Sequence, residues 1–154
     1  MKKLLHLLDE LDQRAAHFEH LDSSISTATI GWHIQHSFLV IIQIVSRLQS
    51  SDPTLYKWKF NLARSYVYLL GKIPRGRGKA PEIVVPKGEI NNEEINRHGL
   101  LARAAITELV NLDSNSFIKH PYFGELNLKQ TETFLVLHTR HHLKIIDDIL
   151  ENKK

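Results

Sequence analysis

The chain has 154 residues, 42% of them hydrophobic and 24% charged, with 20 Lys and Arg against 17 Asp and Glu. That is the size and balance of one globular domain, so residues 1–154 are read as a single unit. The absence of cysteine excludes disulfides, thiolate metal ligands and a cysteine nucleophile, and a formal charge of +3 is too small to argue for a nucleic-acid binder.

The first stretch, "MKKLLHLLDELDQRAAHF", is interrupted by His6, Asp9, Glu10 and Asp12. A secretory signal would run on as an unbroken apolar segment, so the stretch reads as an amphipathic helix. Leu4, Leu8, Leu11, Ala15 and Phe18 form its stripe and predict a helix over about 2–20. "LDSSIST" breaks it. A long apolar run from about 26 to 49 follows, with Ile34, Phe38, Ile41, Val45 and Leu48 at helical spacing. Asp52-Pro53 signals a start, Asp as N-cap and Pro at the first helical position, for a third helix to Gly71. Trp58, Phe60, Tyr66 and Tyr68 on it suit packing or a homodimer surface. "GKIPRGRGKAPEIVVPKGEI" holds four glycines and three prolines and reads as a long irregular crossover. A fourth helix starts at Asn91 or Asn92 and runs to about 112. "NLDSNSFIKHPYFGELN" reads as a loop. Asn127 with Gln130 resembles a capping box for a last helix over about 128–151. No segment reads as a convincing strand; "EIVVP" is the one β-like piece. The expectation is an all-α bundle of four helices with an extra short helix and a long crossover loop. No apolar run approaches the roughly 20 residues of a membrane span, so a soluble, cytoplasmic protein without a membrane partner is expected.

Histidine is the unusual residue, with ten in the chain. "FLVLHTRHHLKII" places two of them among core residues. On a helical wheel, Ile145 and Ile149 lie within about 20° of His138, and His142 about 40° away. The pair His138 and His142 is therefore expected at the centre of the buried stripe, one turn apart. Burying two imidazoles costs free energy unless their nitrogens are satisfied, and a shared metal ion would satisfy both. A third ligand should come from a facing helix. On helix two, His33 lies at the edge of the apolar stripe and is the better inward candidate. His36 falls among Gln43 and Arg47 and is expected at the surface. Three histidines leave one coordination position open. The HxxxH spacing alone is a weak motif.

The pattern "IGWHIQHS" on an early helix, followed by "HPYFGELNLKQTETFLVLHTRHHLKII", resembles the DinB-like metal-binding superfamily. The likeness is to a branch known as a domain of unknown function, and it covers nearly the whole chain. It implies a four-helix bundle with a divalent metal held by one histidine of helix two and two of the last helix. Carried onto this sequence, those are His33, His138 and His142. Trp32 directly precedes His33, where many members carry tryptophan several residues earlier, and most members lack "PRGRGKAP". The superfamily includes thiol-dependent transferases and isomerases and hydrolase-like members. The resemblance therefore implies a metal-dependent hydrolase or a thiol S-transferase acting on a small molecule, anionic or thiol-containing. The alternative is a non-catalytic, metal-stabilised or stress-associated bundle.

His120, His141 and His36 are accessory candidates: His120 as a fourth ligand or proton shuttle in the loop entering the last helix, His141 as a fourth ligand, and His36 as the alternative to His33 on helix two. Zinc or nickel leads the candidate metals, with iron next, since three imidazoles accept all of them. Lys72, Arg75, Arg77 and Lys79 read as a solvated loop or an anion clamp. They have no interleaved aromatics to stack on a single strand. No carboxylate lies on the central stripe of the last helix, so no general base can be named.

Overall fold

The computed structural model describes residues 1–76, 78 and 80–152. It is mostly helical with one small two-stranded sheet. Five helices occur among these residues: α1 (Lys2–Arg14), α2 (Ile30–Gln49), α3 (Leu62–Leu70), α4 (Asn92–Glu108) and α5 (Leu128–Glu151). α2 packs chiefly on α4 and α5, and α1 lies against α5 and α4. The core between them contains Leu8, Leu11, Ile34, Phe38, Ile41, Ile106, Leu135 and Ile146, all fully buried. Arg14 pairs with Asp147 across α1 and α5, and Arg103 with Asp9 and Asp12 across α4 and α1. These pairs are partly exposed and worth little beside the apolar burial. No helix among the described residues is long and apolar enough to cross a membrane.

The predicted helices are present, and several are shorter than expected. α1 stops at Arg14, and the next turn, Ala15–His17, is 3-10. α2 begins at Ile30 because the Thr29 hydroxyl accepts from the Trp32 N–H and caps it. Gly31 then lets α2 approach the preceding segment. Its N–H donates to the Phe18 carbonyl, and a Cβ would sit 2.8 Å from Ile90 Cγ2. Asp52 does cap a helical turn, but that turn is the 3-10 segment Pro53–Leu55. The expected single helix over 53–71 breaks there. "YKWKF" is not helical, and Asn61 provides a second cap for α3. Gly71 ends α3 at φ 63, the left-handed conformation glycine adopts freely. Trp58, Phe60 and Tyr66 remain exposed. "EIVVP" is not a strand: Glu82–Val84 is another 3-10 turn. The capping box is present, with Asn127 and Gln130 each bonding the other's backbone N–H.

The expectation of no strand was wrong for "NSFIKHPYFGELN". β1 (Phe117–His120) and β2 (Gly124–Asn127) form an antiparallel hairpin in which Ile118 faces Leu126. Both are buried, so the hairpin closes over the core with alternate residues inward. Gly124 takes φ 69 at the return. Arg64 of α3, itself buried, anchors the hairpin by donating to the carbonyls of Phe123 and Glu125.

Candidate metal centre

α2 supplies two of the site's imidazoles. In its 20 residues Arg47 is the sole Lys, Arg, Asp or Glu, and the helix is buried on nearly every side. One face meets the core through Ile34, Phe38 and Ile41. The other faces α5 and the Glu82–Val84 turn, and it carries His33 and His36. Each is 4% exposed. The expected surface position of His36 is thus corrected. The signal was available: a helix apolar all round has no water-facing side on which to put a histidine.

His36, His138 and His142 each offer a ring nitrogen, and these atoms lie within 4.8 Å of one another. The ring centroids of His138 and His142 are 4.6 Å apart, as the one-turn spacing on α5 dictates, and His36 lies 4.8 Å from His142 and 5.2 Å from His138. Nitrogens bound to one zinc sit about 3.4 Å apart, so the side chains need to close by about 1 Å. The structure therefore brings His138 and His142 together, with His36 completing the group where the sequence reading had His33.

His33 is one contact away. Its Nδ1 lies 2.9 Å from His142 Nδ1, and its Nε2 lies 2.9 Å from Ser26 Oγ. Proton placement follows from these partners. His36 Nδ1 must donate to the Val84 carbonyl at 2.8 Å, which leaves the lone pair on Nε2. If His33 Nε2–H donates to Ser26, then His33 Nδ1 accepts from His142 Nδ1–H, and the His142 lone pair also falls on Nε2. This is the outer-shell pattern that orients histidine ligands: one ring N–H is held by an acceptor and the other nitrogen is free to bind.

Electrostatics keep these rings neutral. Burial lowers the pKa of His33 to about 4, aided by His36, His141 and Arg75. Burial also lowers His36, partly offset by its bond to Val84. His138 and His142 are pushed well below the ordinary value by burial and by their neighbouring imidazoles. Neutral imidazole nitrogens in a confined group are what a divalent transition metal requires. The donor set fits such an ion.

Of the accessory candidates, His36 joins the converging group, and His120 and His141 stand apart from it. His141 lines the adjacent cavity and is lowered by burial and Arg75, with an opposing hydrogen bond to the Ile73 backbone. His120 Nδ1 accepts from the backbone N–H groups of Tyr122 and Phe123, both at 3.2 Å, and its ring stacks on Phe123 with centroids 4.5 Å apart. His120 thus builds the hairpin turn, and burial lowers its pKa to about 4.

The site opens on a cavity of about 300 Å³. Trp32, Val40, Ile44, Phe123 and Phe134 supply apolar wall, and His36, His138, His141 and His142 line its inner part. No carboxylate lines it among the described residues. Asp147 and Asp148, the nearest acids on α5, pair with Arg14 and Arg75. Of the basic loop, Arg75 is engaged by Asp148 at 2.6 Å and Lys72 is exposed. Arg77 and Lys79 lie outside the described residues. No protein-family model matches the chain, and neither the curated proteins nor the solved structures yield a match.

Proposed function

We propose that the chain is a DinB-like four-helix bundle that binds a divalent transition metal, zinc or nickel before iron, through His36, His138 and His142. On this reading it acts on a small molecule as a metal-dependent hydrolase or thiol S-transferase. The convergence of three neutral imidazoles on the wall of a 300 Å³ cavity carries the proposal. A bound ion would supply Lewis acidity toward a substrate oxygen or sulfur. The chain's own part is positional. Val84 fixes the His36 tautomer, the Ser26–His33 pair orients His142 when His33 Nε2–H donates to Ser26, and Trp32 and Phe134 wall one side of the site. No carboxylate lines the cavity among the described residues, so the chain offers no acidic general base there.

A second reading puts His33 among the ligands, as the DinB-like pattern implies, and its 2.9 Å approach to His142 favours it. A fourth imidazole would close the site and make the metal structural, the non-catalytic alternative. Elemental analysis of untagged protein separates the two. About one equivalent of metal, lost in His36→Ala, His138→Ala and His142→Ala but kept with roughly 10–100-fold weaker affinity in His33→Ala, supports the first. Complete loss in His33→Ala supports the second. No metal after reloading with zinc or nickel overturns both, and the histidines are then core residues.

A further inference from the structure

The cavity's charge pattern says which class of molecule it selects, on the reading that this cavity is the functional site. Its walls are apolar over most of their extent. Among the described lining residues the charged side chains are Arg47, at the end of α2, and Lys119, on β1. Both are exposed, which places them at the mouth, and neither joins an ion pair among the described residues. Arg75, by contrast, is already neutralised by Asp148.

His120 adds a directional group. Its Nδ1 is an acceptor for two backbone N–H groups, so the proton of the neutral ring sits on Nε2. The ring is clamped between Phe123 and the edge of Phe134 and lines the same cavity. It cannot turn over to present a lone pair without breaking the hairpin turn. His120 therefore carries its ring proton on Nε2 in the wall of the cavity, as an N–H donor.

We propose that the cavity binds a small amphipathic anion, its apolar body against Trp32, Ile44 and Phe134 and its acidic head at Arg47, Lys119 and the His120 Nε2–H. Cations and uncharged acceptor-free molecules are selected against, because the mouth repels the former and an uncapped His120 donor is left unpaired by the latter. The volume stands at the lower end of small-molecule pockets and suits a single short chain or ring.

The test needs no metal. The protein has two tryptophans, and Trp58 is 63% exposed, so Trp58→Phe leaves Trp32 on the cavity wall as sole reporter. Octanoate, 1-octanol and octylammonium are titrated into chelator-treated protein while Trp32 fluorescence is followed. The expected result is that octanoate binds about tenfold or more tightly than octanol, and that octylammonium binds least. Arg47→Gln with Lys119→Gln, both exposed substitutions that leave the core alone, removes the preference without weakening octanol. His120→Asn, whose side-chain oxygen can still accept from the Tyr122 and Phe123 N–H groups, weakens octanoate more than octanol. Equal binding of the three probes, an octanoate preference that survives the double substitution, or no binding at all overturns the proposal. Because the preference is read without metal, failure to load zinc would sink the metal site and leave this result standing, and the converse also holds.

Discussion

Metal-free protein is expected to lose stability steeply between pH 7 and pH 5. His33 titrates near 4 when folded, against about 6.5 in an unfolded chain. Between those values the unfolded state binds the proton and the folded state does not, so stability falls as pH falls. Working the linkage from pH 7 to pH 5 gives a loss of about 2 kcal/mol for this one ring. His138 and His142 are displaced in the same direction by burial and by their neighbouring imidazoles, so they steepen the loss. Even the single His33 contribution is a sizeable share of the roughly 5–15 kcal/mol of a typical domain. Urea denaturation at half-unit pH steps in the presence of chelator measures the slope. His33→Gln is the control: it is less stable throughout, and its slope should be shallower by about one proton, or about 1.4 kcal/mol per pH unit. A flat profile above pH 5, or an unchanged slope in His33→Gln, would show that these rings are solvated and would refute the account of the site.

Other consequences can be measured alongside. Zinc at a hundredfold excess over its dissociation constant should stabilise the protein by about 3 kcal/mol, visible as a higher melting temperature that His142→Ala abolishes. Gly31→Ala should cost about 1–3 kcal/mol in chemical denaturation, because the new Cβ meets Ile90 Cγ2 at 2.8 Å and the Phe18 carbonyl at 3.0 Å. Arg64→Met should leave the Phe123 and Glu125 carbonyls short of a charged donor, lowering stability by about 2–4 kcal/mol. Hydrogen exchange should then quicken first at residues 117–127.

Much of the helical frame was legible because it rests on local chemistry. Asn127 and Gln130 announce the start of α5, Gly71 the end of α3, and the His138–His142 spacing a shared face. What could not be read came from packing at a distance. The hairpin depends on Ile118 and Leu126 finding the same core, and neither four-residue strand is persuasive alone. A two-sided wheel assigned His36 to water because it assumes that each helix has a wet face, and α2 has almost none. The Val84 carbonyl that fixes His36 comes from a loop 48 positions away, and no spacing rule reaches it.

The split of the site between α2 and α5 also sets an order of events. His33 and His142 stand 109 positions apart. At about 5–20 residues per second of synthesis, the α2 imidazoles wait roughly 5–20 s before their α5 counterparts leave the ribosome. No ion can gather His36, His138 and His142 during that interval, and α2 must be shielded by α1 and by whatever part of α4 has emerged. On the proposed reading, a metal cannot be gathered until α5 has been made, so its loading follows the emergence of α1, α2 and α4.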